Sequence, residues 1–250
     1  MSRLGRQTVP LALSIALFVL LWQMLAGVVD ERVLPGPLVV LEALWLGVAD
    51  GELPYHVGVT LARVAVSFAL AMIIGSSIGL VMGRSRRIDR FFDSWLILFL
   101  NIPALVTIIL CYVWFGLSEL AAVAAVALNK IPNVAVTVRE GARALDPKYT
   151  QLARVYRLSR WQTLRHVVLP QLAPFFAASA RSGLALVWKI VLVVELLGRG
   201  NGVGFQLHLF FQFFDVPSIL AYTVTFVAIV QVIEVGILGP LERHANRWRA

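Results

Sequence analysis

Between Val57 and Gly83 the sequence carries one charged residue, Arg63, and five further stretches come close to it in apolarity. About 20 consecutive apolar residues suffice for a helix to cross a bilayer, and a helix satisfies its backbone N–H and C=O groups internally. The expected fold class is therefore an all-α, polytopic membrane protein. The expected spans cover about 9–29, 57–83, 95–116, 120–138, 172–197 and 217–239, within one transmembrane domain over 1–250. A composition of 59% hydrophobic and 14% charged residues, with a mean hydropathy of +0.82, removes the soluble-domain reading that 250 residues would otherwise allow.

Local features refine these spans. The first run competes with a cleaved leader, but it is nearer a full crossing and no small-x-small cleavage site follows it. Asp30 to His56 is more polar, with Leu38, Leu41, Glu42, Trp45 and Leu46 suggesting a short interfacial helix after Pro37. Gly75, Gly79 and Gly83 recur every fourth residue, a spacing that lets a second helix approach closely. Pro103 is expected to break or kink the third span.

The positive charges fix an orientation. Arg3 and Arg6, then Arg84, Arg86, Arg87 and Arg90, then seven residues between Arg139 and Pro170, then Arg243, Arg247 and Arg249 account for 16 of the 22 Lys and Arg. All lie on one side of a six-span topology, and the other side has Arg32 and Arg199. The positive-inside rule makes the first side, with both termini, cytoplasmic. The net charge of +8 is thus a membrane signature rather than a nucleic-acid footprint.

Residues 139–170 are the long basic island among these apolar runs. Asp146 is a candidate N-cap with Pro147 at the first helical position, and Tyr149, Leu152, Ala153 and Tyr156 share one face. Ser159-Arg160-Trp161-Gln162 is a capping-box pattern that opens a second helix, with Trp161, Leu164 and Val168 on one face and Pro170 closing it. Two basic amphipathic helices kept in water are suited to holding a partner.

Chemistry is sparse elsewhere. Cys111 has no partner for an internal disulfide, and His56, His166, His208 and His244 show no metal-ligand spacing. G-x-x-x-x-G-K-[ST] is absent, so ATP hydrolysis has to come from another subunit, and no cofactor is expected. The glycine-rich 198–204 segment follows a span without a preceding strand and reads as a flexible external loop rather than a phosphate cradle. Ionisable groups within spans are costly and usually functional, which makes Lys130, Arg181, Lys189 and Glu195 candidates for a translocation path, with Trp188 beside them. The competing readings are a structural Arg181–Glu234 pair, a Glu195 that reaches the interface, and a Trp188 used for packing.

The stretch Gln151 to Pro170 resembles the signature of binding-protein-dependent ABC importer permeases: Glu-Ala-Ala, three residues, Gly, nine residues, Ile, any residue, Leu-Pro. Anchored on Leu169-Pro170, Val167 takes the Ile position, Arg157 the Gly position and Gln151-Leu152-Ala153 the Glu-Ala-Ala positions. Further pieces are similar to the nitrate/sulfonate/taurine-type branch. They are Leu34-Pro35-Gly36-Pro37, Thr60-Leu61-Ala62-Arg63-Val64, Asn101-Ile102-Pro103, Trp114-Phe115-Gly116, Arg181-Ser182-Gly183-Leu184, Trp188, Glu195 and Gly202-Val203-Gly204. The resemblance implies the type I importer permease fold in a bacterial inner membrane and a path for a small, anionic solute. It also implies cytoplasmic ABC ATPase subunits, a second permease copy and an external solute-binding protein as partners. The ATPase would dock on Tyr149, Leu152, Ala153, Tyr156, Arg157, Ser159, Trp161 and Leu164.

Other classes fit less well. A stand-alone secondary transporter or channel would need intramembrane carboxylates or an internal repeat to couple ions, and no repeat is present. A membrane-embedded enzyme would need clustered His, Asp or Cys near one leaflet.

Overall fold

The computed structural model describes residues 4–240, with side chains from Leu13 onward, and every regular element in that range is helical. Arg3, Arg243, His244, Arg247 and Arg249 lie outside the described residues, as does the side chain of Arg6. The elements are α1 (Leu4–Ala26), α2 (Pro37–Ala49), α3 (Glu52–Arg84), α4 (Arg86–Asn101), α5 (Ala104–Phe115), α6 (Glu119–Arg143), α7 (Pro147–Val155), α8 (Arg160–Thr163), α9 (Leu169–Gly198), α10 (Val203–Gln212) and α11 (Val216–Ile233). By length and apolarity α3, α6 and α11 with its extension to Leu238 each qualify as a crossing, and α4 with α5 qualifies as one broken crossing. At 30 residues α9 is long enough, about 45 Å, but it carries Arg181, Lys189 and Glu195.

The bundle is built on α3 against α6. A Cβ at Gly75 would lie 2.8 Å from the Ile131 carbonyl oxygen, one at Gly79 2.4 Å from that of Ala135, and one at Gly83 2.5 Å from Ala142 Cβ. The glycine spacing in the second span is therefore a seam where two backbones meet. On α6 the small residues Ala121, Ala122 and Ala125 are buried, admitting α3, α5 and α9 to one core with Val64, Ile108, Val187 and Val191.

The third crossing is not continuous. Pro103 disfavours helical geometry in the residue before it, and Ile102 is extended (φ −71°, ψ 123°), so α4 and α5 meet at a 95° bend. Toward the 139–170 end, Asp89 and Asp93 of α4 pair with Arg139 of α6, and Arg143 pairs with Asp89. The basic island accordingly begins later than the sequence pattern indicates, because Arg139 and Arg143 belong to the last turns of α6.

Pro170 does not close the second helix of the island. The chain runs unbroken from Arg160 through a π-turn at Leu164–Val168 into α9. Proline has no N–H to offer and its ring crowds the preceding turn; the wider turn absorbs the misfit, with Leu169 N–H donating to the Leu164 carbonyl. One helix thus joins the island to the far end of the bundle.

Candidate functional site: an exposed helical knob and a buried ion network

The knob is set by its caps. Asp146 Oδ1 accepts the Lys148 N–H at 2.8 Å and Pro147 occupies the first turn of α7. α7 ends in a Schellman motif: Leu158 N–H donates to the Ala153 carbonyl at 2.9 Å and Arg157 N–H to that of Arg154 at 3.0 Å. That motif requires a left-handed residue, and Arg157 supplies it at φ 51°. Ser159 and Gln162 then form the reciprocal capping box, Gln162 N–H to Ser159 Oγ at 3.2 Å and Ser159 N–H to Gln162 Oε1 at 2.9 Å.

These caps leave Tyr149, Leu152, Tyr156 and Trp161 uncovered, with Tyr156 71% and Trp161 66% exposed. Lys148, Arg154, Arg157, Arg160 and Arg165 surround them, all exposed. Ala153 and Leu164 depart from the expected docking set. Ala153 is buried, and Leu164 turns inward onto Ala142, Val168 and Leu172. The face that Trp161, Leu164 and Val168 were expected to share is divided, because α8 packs by one edge and only Trp161 points out.

At the opposite end of the bundle, His56, Thr60 and Arg63 lie on one face of α3, and Thr60 and Arg63 converge on Glu195, in the last turn of α9. Glu195 is fully buried. Arg63 Nη1 donates to Glu195 Oε1 at 2.8 Å, Thr60 Oγ1 sits 2.9 Å from each carboxylate oxygen, and Gly204 N–H donates to Oε2 at 2.9 Å. Arg63 also grips Glu119 in a forked pair, with Nε to Oε2 at 2.9 Å and Nη2 to Oε1, and it holds both the carbonyl and the side-chain oxygen of Asn201. Arg199 adds a 2.6 Å bond to Glu119. Two cations and two carboxylates are thereby neutralised at the junction of α3, α6, α9 and α10.

The glycine-rich segment is part of this network. Val203 N–H donates to Thr60 Oγ1 at 2.8 Å and Gly202 N–H to His56 Nδ1 at 2.9 Å, while His56 Nε2 lies 2.7 Å from Gln206 Nε2 and 3.1 Å from Glu52 Oε2. The expected flexible loop is instead a short turn feeding α10, with Gly202, Val203 and Gly204 buried. The start of α10 does receive an anion, supplied by the chain itself as Glu195.

The remaining candidates separate. Arg181 Nε lies 3.8 Å from Glu234 Oε1, so the structural pair forms. Trp188 is in the core, edge-on to Phe226 with ring centroids 5.5 Å apart, as packing requires. Glu195 is locked in the network rather than reaching an interface. Lys189 is on the exposed side of α9 and forms no ion pair among the described residues. Lys130 is 2% exposed, its side chain laid against Gly183. The sequence reading missed Arg63 and Glu119 as site residues. The available signal was Arg63 itself, a lone charge in an apolar run.

With this geometry in hand, the model of the binding-protein-dependent transport system inner membrane component family matches residues 67–238. The chain belongs to that family. It is an importer permease of the ABC type, a transport component and a multi-pass inner-membrane protein. The permease is 29% identical to the putative aliphatic sulfonates transport permease protein SsuC of Bacillus subtilis, covering 94% of this chain and 85% of that protein. It is 26% identical to the taurine transport system permease protein TauC of Escherichia coli, covering 98% and 91%. It is 28% identical to the bicarbonate transport system permease protein CmpB of Synechococcus elongatus, covering 92% and 84%. Among solved structures, the MetNI methionine ABC transporter aligns with a TM-score of 0.64 at 19% identity, over 75% of this chain and 93% of that one. An amino acid ABC transporter aligns at 0.62 and 21% identity, over 80% and 97%. These likenesses place the permease in the type I importer fold.

Proposed function

We propose that this permease forms the membrane path for a small anionic solute of the sulfonate, nitrate, taurine or bicarbonate kind, handed over by an external binding protein. A separate cytoplasmic ABC ATPase docks on the α7–α8 knob and supplies the energy. The knob carries this reading: Tyr149, Leu152, Tyr156 and Trp161 form an apolar face without cover, ringed by cations, in a chain without a nucleotide loop. Such a face is suited to a hydrophobic cleft on another protein.

The continuous helix from Arg160 to Gly198 gives the docked ATPase a lever. A shift of the knob would move α9 as a near-rigid body, with the Glu195 network carrying α10 along at the far end. Both termini and the knob are cytoplasmic in this reading, supported by the distribution of Lys and Arg. Lys189 faces away from its own bundle, and a charge is not left to lipid. A second permease copy, identical or a sister subunit, covers that side of α9 and shares the path. The test is reconstitution of the permease with its ATPase and binding protein in proteoliposomes. ATP-dependent uptake supports the proposal; ATP-independent transport by the permease alone contradicts it.

A further inference from the structure

Every embedded arginine with a described side chain has an acidic partner: Arg63 has Glu119 and Glu195, Arg139 has Asp89 and Asp93, and Arg181 has Glu234. Lys130 does not. It lies midway along α6, 2% exposed, and among the described residues its ammonium has no hydrogen bond and no carboxylate. It reaches α9 at Gly183, where a Cβ would meet Lys130 Cε at 2.6 Å, Nζ at 3.1 Å and Phe68 Cε2 at 3.5 Å.

Two serines on the flanking helices are also poorly satisfied. Ser67, next to Phe68 on α3, is fully buried and its Oγ has no hydrogen-bond partner. Ser179 lies one turn from Gly183 on α9, 1% exposed, and its Oγ has Met72 Sδ as its side-chain partner, at 4.0 Å. Buried polar groups normally find partners, and a largely desolvated cation without a counter-charge is costly. Three helices therefore bring one positive charge without a carboxylate, one hydroxyl without a partner and one hydroxyl held only by a thioether to the middle of the bundle.

We propose that Lys130, with Ser67 and Ser179, is an anion-coordinating site in the α3–α6–α9 core that takes a monoanionic oxyanion during transport. A single ammonium in a low-dielectric core balances one negative charge and leaves a dianion half uncompensated, so the site selects monoanions over dianions. Gly183 is the wall that α9 withdraws to open it. The proposal rests on the importer reading and adds the residues that set charge selectivity.

The experiment uses the purified permease–ATPase complex in nanodiscs and follows its thermal midpoint in sodium nitrate or sodium sulfate, with gluconate holding ionic strength constant. The wild type is expected to gain about 3 °C with nitrate at saturation and much less with sulfate. Lys130→Met and Lys130→Gln are expected to lose the nitrate response and to match or exceed the wild-type midpoint in gluconate, since they remove an unpaired buried charge. Lys130→Arg is expected to keep part of the nitrate response. Equal nitrate responses in wild type and both neutral variants, or lower gluconate midpoints in both, would overturn the site and leave a merely structural lysine. Binding-protein-stimulated ATP hydrolysis by the wild-type complex reports separately on the importer reading, so the two can fail independently.

Discussion

The carboxylate of Glu195 occupies the space that a side chain on Gly202 would need: a Cβ there would lie 2.3 Å from Glu195 Cδ, on a backbone held at φ 107°. The glycine and the acid fit only together. The glycine at 204 has a different cause, since its Cβ would sit 2.2 Å from the Leu192 carbonyl oxygen. Gly202→Ala is expected to cost at least about 2–3 kcal/mol, the scale of a non-glycine residue in a forbidden backbone region, set here against a buried carboxylate that Arg63 and Thr60 hold in place. The readout is the midpoint in detergent, and an unchanged midpoint would show that the turn is not held as described.

Arg63 and Glu195 should behave asymmetrically when removed. Arg63→Ala leaves the fully buried Glu195 carboxylate without its cation and should destabilise by about 3–5 kcal/mol. Glu195→Gln keeps the Thr60 and Gly204 hydrogen bonds available and leaves the Arg63–Glu119 fork intact, so it should cost less, about 1–3 kcal/mol. A double-mutant cycle measures their coupling; additive effects would contradict direct contact.

The α3–α6 seam gives a sharper steric test. At Gly79 an added side chain meets backbone, the Ala135 carbonyl at 2.4 Å and the Arg139 nitrogen at 3.0 Å. Gly79→Leu should abolish folded, monodisperse protein, whereas Gly58→Ala, where a Cβ meets nothing within 4 Å, should leave it intact. Size-exclusion profiles of the two variants decide this.

Arg157 carries a left-handed backbone that glycine adopts almost without strain. Arg157→Gly should stabilise the knob by about 1 kcal/mol, offset in part by glycine's greater unfolded-state freedom. Slower hydrogen exchange at Leu158, whose N–H closes the Schellman motif, is the local readout. Faster exchange would mean that the arginine side chain contributes more than its backbone costs.

The local features were legible in the sequence. Asp146, Ser159 and Gln162 announced their caps because capping depends on residues two or three apart, and Pro103 announced its break because proline constrains the residue before it. The glycine stripe announced a seam for the same reason of fixed periodicity. What remained hidden depends on distance along the chain. Arg63 meets Glu195 across 132 positions and Glu119 across 56, and no helical spacing rule reaches that far. The 198–204 segment read as a loose loop because its partners, His56, Thr60 and Glu195, lie on other elements. Pro170 read as a helix end because a π-turn that absorbs it has no residue signature of its own. Ala153 and Leu164 joined the expected docking set through helical spacing and the family resemblance together, and tertiary packing turns both toward the interior.

The central claim is that another protein's work enters through the outward face of α7 and α8, and co-purification of the ATPase with the permease tests it most directly. Trp161→Glu and Leu152→Asp place charges on residues 66% and 52% exposed, so the permease itself should insert and fold as before. The account predicts that both variants retain the wild-type thermal midpoint as permease alone and lose at least about tenfold in ATPase recovered, equivalent to about 1.4 kcal/mol or more of binding energy. Recovery of the ATPase at wild-type stoichiometry from both variants would contradict it.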